Sequence, residues 1–274
     1  EVLIEYWLEN DISKLIYRMI VLNAGQKAMS MRHQIELLFM SLKGIIAEQI
    51  VDIEIFLEKE TARRTSPNKY SLSVVASAYQ AFLTRSTELD KNDLVSNALV
   101  KDTVMDATEE EHTHKFNEFI HYFKKIKVID ELSWGYYSNM TNDNRLAELA
   151  ARGDADLEPQ EKAELNRLKI FKNAKTWLGS DNVMLGLYSS IAQLLNTGRK
   201  DRLDEALTKL KRLFENSEDD PLGLVNYEKF KAEINPKKYN VGNATRKLLL
   251  NGFKEYFRDE GETNFAQCWE QAKD

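Results

Sequence analysis

The sequence predicts an all-α protein, an irregular helical bundle or array, and three observations carry that prediction. Apolar residues recur with helical spacing through most of the 274 residues. Only 4 prolines and 11 glycines punctuate the chain, which is sparse for a β-sandwich or barrel and its frequent tight turns. The connections between readable helices are short, so neighbours should run antiparallel around shared apolar stripes. No period of roughly 30–45 residues recurs, so the array is not a solenoid.

The elements follow in order. The chain begins at Glu1 without an initiator Met and enters an apolar run at once, Val2-Leu3-Ile4-Glu5-Tyr6-Trp7-Leu8. This run reads as a short N-terminal strand, and its abruptness suggests a fragment. Asp11 is a good N-cap for a helix carrying Ile12, Leu15, Ile16, Met19 and Ile20, which should stop at Asn23-Ala24-Gly25. Ser30 can cap the next helix, in which Ile35, Leu38, Leu42, Ile45 and Ile46 form one stripe. Leu37, Phe39 and Met40 make its neighbouring faces apolar too, which predicts a central, buried helix. Residues 51–57 alternate like a half-buried strand, with a continued helix as the alternative.

A polar break from Thr61 to Lys69 precedes a helix with Leu72, Val75, Tyr79 and Phe82 on one face. Further helices are readable around 92–101, 108–129, 145–152, 159–177, 182–196, 201–215, 225–234, 241–258 and 263–272. The charge-rich segment from Arg145 to Leu168 reads as an inserted helical hairpin, with Pro159 near a first turn. A lobe boundary near 140–145 would divide the chain into an N-terminal helical lobe, 1–142, and a C-terminal one, 143–274. Glu218-Asp219-Asp220-Pro221 is a second candidate seam.

Composition narrows the chemistry. Apolar residues make up 43%, enough for a full core, and charged residues 30%, with both signs interspersed. A net charge of -6 gives no overall pull toward nucleic acid or anionic lipid, so any DNA contact needs a local patch. The single cysteine, Cys268 beside Trp269, cannot form an internal disulfide or a thiolate cage and reads as a packed thiol. A reducing, cytoplasmic setting fits, and no apolar run or leader pattern points to a membrane or to export.

No catalytic, cofactor-binding or metal-binding residue is nominated. Glu111/His114 and Glu118/His121 are both E-x-x-H pairs, the spacing of di-iron carboxylate bundles, but those bundles place the pairs on different helices. Here they lie on one helix, about 10 Å apart along its axis, opposite the stripe of Phe116, Phe119, Ile120 and Phe123. A solvated face is the better reading. His33 has no visible catalytic companion, and no glycine-rich phosphate cradle is present.

Basic groups do cluster. Lys59, Arg63, Arg64 and Lys69 crowd one polar loop, and Lys237, Lys238 and Arg246, with Lys247 nearby, surround a helix start beside Tyr239. Both are candidate nucleic-acid contacts, since loops and helix starts can meet phosphates. Lys124, Lys125 and Lys127, expected to end a helix, form a third such group, although a helix C-terminus also attracts lysines through its dipole. The Arg63-Arg64 loop is the strongest candidate because no dipole accounts for it.

Two stretches carry a family resemblance. Leu22-Asn23-Ala24-Gly25-Gln26-Lys27-Ala28-Met29-Ser30, running into Met31-Arg32-His33-Gln34-Ile35-Glu36-Leu37-Leu38-Phe39, resembles the "L-N-x-G, then L-S-x-x-E/Q" passage of ParB-related families with a D-G-Q-x-R signature. Those families include the GmrSD-type modification-dependent restriction enzymes and, more distantly, DndB-like proteins. The stretch from Arg63-Arg64 through Lys69 to Phe82 is similar in order and character to the helix that comes next. The two cover about a third of the chain, and the D-G-Q-x-R signature itself is missing from it.

The resemblance implies that Val2 to Leu8 ends a truncated ParB-like core and that Asn23, Gln26 and Arg32 converge at the junction packing against it. The expected function is then a helical accessory region of a ParB-related prokaryotic or phage protein, binding DNA or a partner such as an upstream domain, in genome defence. Any enzymatic activity would reside upstream. The alternative is a helical protein–protein interaction scaffold with no nucleic-acid role.

Overall fold

The computed structural model describes residues 15, 35–37, 39–57, 64–88, 109–141, 143–216, 219–234, 241–258 and 265–271. The class is all-α. Among these residues run α1 (Met40–Gln49), β1 (Glu54–Phe56), β2 (Lys69–Ser71), α2 (Leu72–Thr84), α3 (Glu109–Met140) and α4 (Asp143–Arg152). A 3-10 turn (Asp154–Asp156) leads to α5 (Pro159–Ala174), α6 (Asp181–Asn196), α7 (Lys200–Glu215), α8 (Leu224–Ile234), α9 (Val241–Arg258) and α10 (Phe265–Gln271). The expected N-terminal strand and the helix at 92–101 lie outside the described residues, as does the helix after Asp11 apart from Leu15, which is helical.

The alternation at 51–57 resolves as a strand. β1 pairs in parallel with β2, Ile55 opposite Tyr70, and both of those side chains enter the core. The helical alternative fails there because a carbonyl and amide ladder with β2 satisfies the backbone instead.

The centre of the molecule is α6, not α1. From Val183 to Ala192 every residue of α6 is buried, between α2 on one side and α9 on the other. Close approach to α9 requires Gly186, since a Cβ there would stand 2.9 Å from Leu249 Cβ and 3.1 Å from the Leu250 amide nitrogen. By contrast α1 packs on α2 and β1 through Phe39, Leu42, Ile46 and Ile50, while Met40, Ile45 and Val51 are exposed. Apolarity on several faces predicted a buried helix; among its described residues only the stripe of Phe39, Leu42, Ile46 and Ile50 is buried.

One apolar core runs from Ile35 to Trp269 and includes residues from both sides of the 140–145 region. Tyr137 near the end of α3 belongs to it, as do Phe171, Trp177 and the α6 stripe. α4 and α5 add a small cluster of their own, Leu146, Leu149, Leu157, Leu165 and Leu168. Arg145 clamps Glu164 with two hydrogen bonds of 3.1 and 2.9 Å, and Arg152 clamps Glu161. Glu158 and Glu161 form a capping box over the first turn of α5, with Pro159 beside it.

The Asp219-Asp220-Pro221 segment is tied to the core. Asp220 accepts from the amides of Leu224 (2.9 Å) and Val225 (3.0 Å), so it caps α8, and it also accepts from the Tyr137 hydroxyl at 2.6 Å. Trp177 Nε1 donates to the Leu222 carbonyl at 2.8 Å. Among the described residues, no helix is long and apolar enough to cross a membrane.

Candidate functional site

The polar loop that precedes β2 folds inward at Arg64. Its side chain is 15% exposed, and the Asp130 carboxylate it meets, in the middle of α3, is fully buried. Each guanidinium N–H has an acceptor. Nε donates to the Lys69 carbonyl at 2.8 Å, and Nη1 to the Leu178 carbonyl at 2.8 Å and to Asp130 Oδ1 at 3.2 Å. Nη2 donates to the Pro67 carbonyl and to Asp130 Oδ2. This uses the complete donor fork of an arginine, the planar bidentate match to carboxylate that a lysine cannot make.

Aromatic faces and further donors complete the chamber. The guanidinium carbon stands 4.4 Å from the Tyr70 ring centroid and 5.6 Å from that of Trp134. Tyr70 also donates its hydroxyl to Asp130 Oδ2 at 2.5 Å, and Thr176 bonds the same carboxylate. The turn before α6 is shaped around the arginine. Gly179 sits at φ +83°, and a Cβ there would come within 2.6 Å of Arg64 Nη1.

Burial dominates the electrostatics. It pushes the Asp130 carboxyl above its usual range, against the pull of Arg64, Tyr70 and Thr176 in the opposite direction. Burial would lower the Arg64 pKa, but Asp130 outweighs it and holds the guanidinium charged. The Tyr70 and Tyr188 hydroxyls are both raised by burial first and by the Asp130 charge second.

The remaining sequence candidates separate. Arg64, expected at a phosphate, has its donors taken up internally: the side chain turns from the polar loop to a buried carboxylate 66 residues away. Lys69 pairs with Glu54 at 2.6 Å. Arg246 is remote from them in sequence and donates to Asn182 of α6 at 3.0 Å. Lys59, Arg63, Lys237 and Lys238 lie outside the described residues, as do Asn23, Gln26, Arg32 and His33.

On α3, His114 and His121 are exposed, opposite the buried Phe119, Ile120 and Phe123. The His121 pKa is lowered by partial burial and by Lys125. Among the described residues no three histidine, cysteine or carboxylate side chains are grouped to hold a metal ion. Cys268 is fully buried beside Trp269 in the aromatic packing of α10.

Sequence reasoning passed over Asp130, Tyr70, Trp134 and Gly179. One signal was legible. Phe119, Phe123, Ile126, Asp130, Ser133 and Tyr137 fall on one helical face, and a carboxylate in the middle of an apolar stripe calls for a cationic partner. No family model matches the sequence, and no curated protein or solved structure matches it either.

Proposed function

We propose that the chain is a helical accessory region of a ParB-related prokaryotic or phage protein, acting in genome defence by docking to a partner domain. The observation that carries this reading is α1. It follows directly on the stretch resembling the ParB-related junction, and exposed apolar side chains stand on it and just after its end. Met40 is 39% exposed, Ile45 43% and Val51 79%, while Phe39, Leu42, Ile46 and Ile50 fill the core beneath. In the resembled families that junction packs against the ParB-like core, and exposed apolar side chains close after the junction suit such packing.

DNA contact is the narrower half of the proposal. With Arg64 bound to Asp130, Lys69 to Glu54 and Arg246 to Asn182, it depends on Lys59, Arg63, Lys237 and Lys238. Fluorescence anisotropy with a duplex at low salt tests it, and Lys59→Ala with Arg63→Ala should weaken the binding and flatten its salt dependence. Absence of binding, or binding unchanged by that pair, leaves a protein-only docking role.

The docking half is tested by the coding sequence upstream of Glu1 and by association. A D-G-Q-x-R motif upstream, together with a complex between its encoded domain and this chain that Ile45→Asp plus Val51→Asp abolishes, is the expected result. An upstream sequence without that motif, or a complex indifferent to the double substitution, overturns it. The scaffold alternative predicts self-association through the same exposed apolar side chains, read by light scattering.

A further inference from the structure

The Arg64 chamber has the composition of a receptor. Its acceptors come from three separate parts of the chain: the Pro67 and Lys69 carbonyls before and in β2, the Asp130 carboxylate on α3, and the Leu178 carbonyl in the turn before α6. Tyr70 and Trp134 supply aromatic surface to the guanidinium carbon, and Gly179 leaves room for Nη1 that any Cβ would fill. These acceptors and ring faces together match a planar cation with five N–H donors. The Arg64 side chain remains 15% exposed.

We propose that this chamber is a guanidinium-binding site filled in cis by Arg64, which latches the 64–71 segment to α3 and to the turn before α6. The site would accept a free guanidinium ion, or a guanidino group on another molecule, once its own arginine is withdrawn. This inference is independent of the docking and DNA readings above.

The test is chemical rescue. Arg64→Ala should lower Tm by about 10 °C, because it strands a buried carboxylate. Guanidinium chloride, at concentrations far below those that unfold proteins, should then raise the Tm of the variant while leaving or lowering that of the wild type. Sodium chloride and urea at equal concentration should not. Hydrogen exchange should show the recovered protection at 64–71 and 175–180. A variant that responds equally to all three solutes, or to none, overturns the site. Where Arg64→Ala yields no folded protein, Arg64→Lys decides: retention of the wild-type Tm would mean that any cation suffices and overturn guanidinium recognition, whereas loss of most of the stability supports it.

Discussion

Arg64 and Asp130 are a buried pair, and such pairs respond asymmetrically to substitution. Removing one partner leaves the other as an uncompensated charge in a site with little water. Asp130→Ala should therefore cost about 3–5 kcal/mol in urea unfolding, more than loss of any exposed ion pair such as Lys172 with Asp143, where a change under about 1 kcal/mol is expected. Gly179→Ala tests the same chamber from its backbone side. It combines a positive φ with a Cβ 2.6 Å from Nη1, so the expected cost is about 1–3 kcal/mol, and it should be smaller in an Arg64→Ala background, where the clash is gone. At this scale the sequence was partly legible. Arg64 stands out as a charge that no helix dipole explains, but its partner is 66 residues distant, and proximity in space cannot be read from proximity in sequence.

Helices were the legible elements, for a physical reason. The apolar periodicities that name α2, α6, α7 and α9 arise because each helix buries a stripe against a neighbour, and the stripe is written locally. α1 was misplaced because apolarity on several faces says only that a helix avoids water, whereas its position depends on what the rest of the chain brings to it. β2 escaped notice because three residues, Lys69-Tyr70-Ser71, are too few to show alternation, and its parallel partner is not adjacent in sequence. Gly186→Ala probes packing at this scale. Its added methyl meets Leu249 Cβ and the Leu250 backbone, so about 1–3 kcal/mol of overpacking is expected in thermal or urea melts, with α6 and α9 losing exchange protection together.

Across the whole molecule, the buried tyrosines set a limit on the alkaline side. Burial raises Tyr79 to about 12 from 10.0, and it raises Tyr70, Tyr137, Tyr188 and Tyr227 as well. A phenol with a higher pKa in the fold holds its proton after the unfolded chain has lost it. The unfolded state then binds fewer protons, and stability falls as pH rises above 10.0. Tm should therefore decline steeply from that pH upward, with tyrosinate absorbance appearing together with unfolding. Tyrosinate that titrates fully in a still-folded protein would contradict the burial of these hydroxyls.

The position of α6 between α2 and α9 also sets an order of events during synthesis. Arg85, at the end of α2, accepts a hydrogen bond from Gln193 of α6 that lies 108 residues downstream. At ~5–20 residues per second, a ribosome needs roughly 5–20 seconds to deliver that partner. Through that interval α2, with Leu72, Val75, Ala78 and Phe82, has nothing from α6 to bury against. The nascent chain thus carries a sticky helix for seconds before the centre of its own fold exists, and α2 is the segment on which a ribosome-associated chaperone should be found.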